Sequence, residues 1–446
     1  MKKNKRGTST LFLAIILSAL ILVETTYLAY VADLNRRLTY TRALKEQTEV
    51  YLASYDRQLF KTYGIYAFDY NRINSLVFNE ILAANGYETG DVMYASGMYS
   101  LDTEILRRAV ACYYSYRASG VIFQRFSSQI MYLIEQIGQG GVLQELREFV
   151  SSPASGLVGR IIDGGAEITE AISIAASTLG FDETNPGYQK FMEIISSLNV
   201  ITNDSPDISN GFDPSDLSFI FDLLEFNTDL YDAGTWFEEN INMHGCLADY
   251  AANNFDCRLE DDTAIDGTPF NCFHADNESD AEYILTGLEG TPGKALTGYM
   301  IFGALYLKNL VCDLTDPSLQ ETLAPTAELL SAVVTVLSGG TVILPPEVYE
   351  LVIVLLIAEV EAVIELVKVL NGEEVPFITW GGEDILMLDY RNFLTVFMNY
   401  IPDQLILDRM LVIFDRDFPD YLTGIVTETD FRGVSISYEG SYELYE

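Results

Sequence analysis

Residues 8–32 read TSTLFLAIILSALILVETTYLAYVA, twenty-five residues carrying a single charge, and only Gly7 separates them from the cationic stretch MKKNKR. At a helical rise of about 1.5 Å per residue, such a run crosses a hydrocarbon core of about 30 Å. Four bases before the run and an apolar stretch without a turn signal predict a single transmembrane helix with a cytoplasmic tip at 1–7. Arg36 and Arg37 flank the far side, and Tyr27 and Tyr30 stand where an interfacial aromatic belt belongs. A cleaved signal peptide would also begin with bases and an apolar run, but Ala29 and Ala32 lack small partners three residues upstream. A retained anchor is therefore expected.

Glu24 is the one ionisable residue in the run. A charge at the centre of a span costs about 2.5–3.5 kcal/mol on insertion scales, and less toward the interface, where a side chain snorkels outward. Glu24 lies toward the outer end, so it either snorkels or makes a lateral contact with a neighbouring subunit. Pilins of the type IV class place a glutamate five residues into the helix. Here Gly7 is followed by Thr8-Ser9-Thr10-Leu11-Phe12, which argues against a processed pilin.

The rest of the chain is strongly acidic. Sixty-five Asp and Glu against 26 Lys and Arg give a formal net charge of −39, a field that repels phosphate backbones and predicts no nucleic-acid partner. With 49% hydrophobic residues the chain has enough apolar material for a sizeable core. From Asp33 to Tyr63 there is no Gly or Pro, and Leu34, Leu38, Leu44, Leu52, Tyr55 and Leu59 recur at near-helical spacing. The expected layout is a helical stalk over 33–63 docking on an acidic extracytoplasmic domain over 64–446, mainly α with some β (α+β). Helices are predicted over 101–150, broken at Gly120 and at Gly138–Gly141, and over 157–180, 186–200, 214–227, 293–313, 319–338, 346–371, 384–400 and 403–415. Residues 65–69 read as a short strand, 245–292 as a turn-rich region with short strands, and 425–446 as a strand or hairpin. The apolar stretch 327–371 is interrupted by Gly339-Gly340 and Pro345-Pro346, and by Glu359, Glu361 and Glu365, which predicts a helical hairpin buried in protein instead of a second span.

Chemistry-bearing constellations are sparse. Export would make Cys246, Cys257, Cys272 and Cys312 candidates for disulfide pairing, with connectivity open. His244 and Cys246 mirror Cys272 and His274 in a way that could suit tetrahedral zinc, but the spacing matches no standard zinc module and Cys257 intervenes. The acidic stretches holding Asp256 to Asp266 and Asp204 to Asp216 lack the EF-hand glycine and terminal glutamate, so solvated charge is the reading. No phosphate loop, dinucleotide fingerprint, serine-hydrolase elbow or zinc-protease helix is present. No cofactor and no enzymatic activity are expected.

The Gly-x-Ser-Thr-aliphatic start of the span, SYDRQLFKTYGIYAFD (54–69), DAEYILTG (280–287), LDYRNFLTVFM (388–398) and Arg409-Met410 together resemble a Gram-positive family encoded in tight-adherence (Tad/Flp-type) pilus loci. Its members are similar in layout to TadE/TadG-like proteins. The resemblance implies membrane anchoring and association with a pilus or secretion apparatus, and it carries over no catalytic residue. The expected partners are the lipid bilayer, other pilus or envelope proteins, and further copies of the chain through the N-terminal helix. The alternative is a membrane-tethered surface module binding a cation, wall polymer or glycan on its own; an exported hydrolase ranks behind both.

Overall fold

The structure is a computed structural model describing residues 6–87, 92–114, 152–163, 166–182, 184–194, 241–259, 279–380 and 383–442. The expected helix over 214–227, Cys272, His274 and most of both acidic loops lie outside the described residues. The fold is mainly α with a few short strands, as the sequence predicts. The chain forms two compact units, Met1–Ala109 with Leu411–Glu446, and Val110–Met410.

In the first unit α1 runs unbroken over Arg6–Ala53, about 72 Å at helical rise. Its C-terminal part buries Tyr40, Ala43, Leu44, Gln47, Thr48, Tyr51 and Leu52, a 3–4 spacing that places all seven on one stripe. The helix stops short of the expected Tyr63. Asp56 accepts from the backbone N–H groups of Gln58 and Leu59 at 2.8 and 3.1 Å, starting a separate helix α2 (Arg57–Tyr63). A capping carboxylate satisfies amides that would otherwise bond back into α1, so the chain turns there without Gly or Pro. Gly64 ends α2 at φ 70°, and β1 (Phe68–Asp69) and α3 (Leu76–Ala84) follow.

Strand β2 (Met93–Tyr99) precedes α4 (Thr103–Tyr114). At the far end of the chain β5 (Tyr421–Leu422) pairs with β1, and β6 (Gly424–Phe431) and β7 (Val434–Ser441) join β2 in an antiparallel sheet of order β2-β6-β7. The α1 stripe packs on this sheet and on α3, enclosing Phe68, Phe78, Leu82, Ile425 and Phe431. Two polar bonds fix the register: Thr48 and Thr427 share a hydroxyl bond of 2.8 Å, and the Phe78 amide donates to Gln47 Oε1 at 2.9 Å. At Gly440 a Cβ would meet Thr48 Cγ2 at 2.6 Å, so only glycine lets α1 lie this close. Arg432 approaches Asp33 and Gly440 approaches Thr48 and Leu52, so β7 runs along α1 in the same direction. Eight strand residues and about seventeen helical residues both cover about 26 Å, which is why the two match end to end.

The second unit contains α5 (Pro153–Asp163), α6 (Ala166–Leu179), a helix over 186–194 and α7 (Ile241–Asn254). They are followed by α8 (Asp280–Thr286), α9 (Thr291–Thr315), α10 (Pro317–Leu337) and α11 (Pro346–Leu370). A hairpin, β3 (Val375–Trp380) with β4 (Glu383–Leu388), leads to α12 (Tyr390–Met398) and α13 (Asp403–Asp417), which belongs to this unit as far as Met410. Leu351 to Leu356 on α11 are all buried, as are Ile301, Leu305 and Leu310 on α9. The middle of the stretch 346–371 is thus enclosed by protein, while Ile364 and Val367 toward its C-terminal end are exposed.

Two expectations are corrected. At its two ends the turn-rich reading of 245–292 gives way to helices over Ile241–Asn254 and Asp280–Thr286, while 260–278 lie outside the described residues; Leu247, Ala248, Tyr250, Ala251 and Ala252 form a buried stripe that outweighs the surrounding Asn and Asp. The single helix expected over 384–400 is a strand followed by a helix. Asp389 marks the change, its side chain accepting from the Asn392 amide at 2.8 Å as an N-cap.

Candidate functional site: the anchor helix and a buried polar node

In α1, every residue from Phe12 to Val31 is exposed, and the apolar window has a mean hydropathy of 2.1 with none of it buried inside the protein. Within the run the hydroxyls turn back on their own helix: Ser18 donates to the Ile15 carbonyl at 3.0 Å, Thr25 to Ile21 at 2.9 Å and Thr26 to Leu22 at 2.7 Å. Such back-bonds let a polar side chain sit in a medium without water. Glu24 is exposed on the same surface. Gly7 lies in the first turns of the helix. Arg37 bridges Asp33 at 3.1 Å, and Arg36 lies over the Tyr87 ring at 5.9 Å. This long apolar helix is consistent with membrane anchoring. Helix α9 is also long and apolar enough to cross a bilayer, but 72% of its window is buried in protein, as befits a core helix.

The sequence blocks DAEYILTG, LDYRNFLTVFM and Arg409 converge within the second unit. Glu282 on α8 is fully buried, and its Oε1 accepts from the Tyr390 hydroxyl at 2.7 Å and from the Arg258 amide at 2.9 Å. Its Oε2 meets no hydrogen-bond partner among the described residues. Burial raises the Glu282 carboxyl above its ordinary value, and burial beside this carboxylate raises the Tyr390 phenol. Arg391, next in sequence, donates to the carbonyls of Ala252 and Phe255 at the C-terminal end of α7. Arg409 donates to the Ile284 and Leu285 carbonyls at 2.6 and 2.7 Å, occupying the free carbonyls at the end of α8. Asp256 Oδ1 accepts from the Asp280 amide at 3.2 Å. Each charged group here satisfies a helix end or another buried group. The node ties α7, α8, α12 and α13 together.

Two further buried groups make polar ties: His244, weighed above with Cys246 for zinc, and Lys308, which the sequence did not single out. His244 faces Asp403 through Nδ1 and the Asn399 carbonyl through Nε2 at 2.6 Å. A carbonyl only accepts, so Nε2 carries a proton. Lys308 donates to Glu365 Oε1 at 2.5 Å and to the Pro376 carbonyl at 3.1 Å, while Asn309 donates to Glu365 Oε2 at 3.0 Å. One turn on, Asp313 is buried and its carboxyl is pushed up to about 7, by burial first and then by Glu361 and Asp316. For Lys308 the signal was present in a Lys inside the apolar run 299–311 of α9 and in the spaced glutamates of α11.

Among the described residues no three His, Cys, Asp or Glu side chains are arranged to hold a metal. Cys246 is half-buried, Cys257 buried and Cys312 exposed, and no disulfide joins any two of these three. The chain matches no family model, no curated protein and no solved structure.

Proposed function

We propose that this protein is a single-pass membrane protein, with its N-terminus cytoplasmic and its bulk extracytoplasmic, serving as a non-enzymatic structural or accessory component of a cell-surface pilus or secretion apparatus. The observation that carries the reading is the division of α1. Its first half presents apolar side chains on every side, and its second half is built into the core of a folded unit. Orientation rests on the four bases ahead of the span. The pilus assignment rests on the resemblance of the sequence blocks. A non-enzymatic role is favoured because the buried titratable groups serve as structural ties. Lateral contacts through α1, with other copies or with envelope proteins, would place Glu24 against a donor in the membrane.

Photo-crosslinking from position 24 in intact cells, followed by native gel separation, tests assembly. Adducts with copies of the chain or with envelope proteins are expected; a monomer without adducts would overturn the assembly role. Protease added outside spheroplasts should degrade residues beyond 33, and full protection would overturn the orientation.

A further inference from the structure

Basic residues are scarce in this chain, so their placement beside the anchor is informative. Arg432, at the tip of the β6–β7 hairpin, stands 3.9 Å from Asp33, one residue past the apolar run. The tip is set by the backbone: Arg432 and Gly433 adopt φ 53° and 78°, and the Gly433 amide donates to Asp430 Oδ1 at 2.7 Å. Exposed Val434 closes the turn opposite Phe431. Exposed Val92 reaches the same end of the sheet, since its carbonyl accepts from Thr429 at 3.3 Å. Arg36 and Arg37 stand one turn further along α1.

The distances leave little room. From Val31, the last large side chain of the uninterrupted apolar run, to Tyr40, the first buried residue, α1 rises only about 13 Å, and Leu34 and Leu38 between them are exposed as well. The headgroup layer on each side of a bilayer occupies roughly 5–7 Å of that. The hairpin tip, level with Asp33, is only about 3 Å beyond Val31.

We propose that this end of the first unit is a second membrane contact. Arg36, Arg37 and Arg432 bind the phosphates of anionic phospholipid headgroups, and Val92 and Val434 enter the interface beside them. The proposal rests on the anchor reading above. Asp33 and Asp430 share this end, but Asp33 is held by Arg37 and Arg432, and Asp430 by the Gly433 amide. A guanidinium has five donors, so each arginine keeps donors for a phosphate. The surface is continuous with the lipid-facing surface of α1, which is why a bilayer is its occupant.

The test uses the full chain in nanodiscs carrying a headgroup spin-label quencher, with or without phosphatidylglycerol. Single tryptophans are placed at Val434, at Tyr27 within the span, and at Tyr99, which pairs with Gly424 at the opposite end of β6, about 24 Å away. The unsubstituted chain supplies the background of Trp236 and Trp380. Val434→Trp and Tyr27→Trp are expected to be quenched and Tyr99→Trp spared, with stronger quenching at Val434→Trp when phosphatidylglycerol is present. Adding Arg432→Ala should weaken docking about fivefold, the equivalent of about 1 kcal/mol per arginine near an anionic surface. Quenching at Tyr27→Trp but not at Val434→Trp overturns this inference and leaves the anchor standing. Failure at Tyr27→Trp overturns both. Equal quenching in the two bilayers overturns the role given to the arginines.

Discussion

Tyr390 donates its hydroxyl to Glu282 at 2.7 Å across 108 residues of sequence, and both side chains are buried. Through this bond α8 and α12 share one polar contact in an apolar setting. Tyr390→Phe removes the donor and leaves the carboxyl with the Arg258 amide alone. A loss of about 1–3 kcal/mol is expected, read as a lower denaturant midpoint of the second unit. Glu282→Gln should be milder, since the neutral amide still accepts from Tyr390. A Tyr390→Phe variant with unchanged stability would mean that the bond contributes nothing.

Asp313 makes the second unit sensitive to pH. Its folded-state value is raised from 3.8 to about 7, so its contribution is complete below pH 4 and is lost as pH rises through 7. The protonated form is the one the fold favours. The size is a few kcal/mol at most. Asp313→Asn should flatten the decline of stability between pH 4 and 8, as followed by urea unfolding at several pH values. An unaltered pH profile would count against burial as the cause.

Gly440 sets the distance between α1 and the sheet. Gly440→Ala would place a methyl 2.6 Å from Thr48 Cγ2 and 3.2 Å from Leu52 Cδ1, with an expected loss of about 1–3 kcal/mol from overpacking. Thr48→Ala opens the space while giving up the bond to Thr427. The double variant should therefore lose less than the sum of the two single losses, by at least about 0.5 kcal/mol. Strict additivity in thermal unfolding would show that the two sites do not touch.

Gly287 closes α8 at φ 76°, and a Cβ there would lie 2.7 Å from Arg409 Nη2. Gly287→Ala meets both a left-handed backbone and the guanidinium that occupies the α8 carbonyls. A loss of at least about 1 kcal/mol is expected, with faster amide exchange over 280–286. Arg409→Ala should produce the same exchange signature without the backbone strain, separating the two effects.

The apolar half and the packed half of α1 were legible because their patterns are long and periodic: an uninterrupted apolar run, then a stripe from Tyr40 to Leu52. The β3–β4 hairpin carried its own signal, β-branched and aromatic residues in Val375–Trp380 with Gly381-Gly382 before the next run. It was hidden because 384–400 also fits a helical period once Asp389 is passed over as a cap. The break at Asp56 was missed for the same reason, a side-chain cap being weaker punctuation than Gly or Pro. The node around Glu282 was visible only as separate blocks. Its meaning lies in which helix ends Arg391 and Arg409 reach, and spacing along a chain does not encode contacts made more than a hundred residues apart.

Because β7 lies along α1 in the same direction and the helix continues without a joint into the anchor, tension on the membrane end is carried by the whole helix–sheet seam in shear. The contacts from Tyr40 to Leu52 would have to slide past β6 and β7 together, with no end from which to peel. Pulling the chain by its N-terminus in a force spectrometer should therefore give one high-force rupture of the first unit. A series of small early steps would mean that the seam opens from one end.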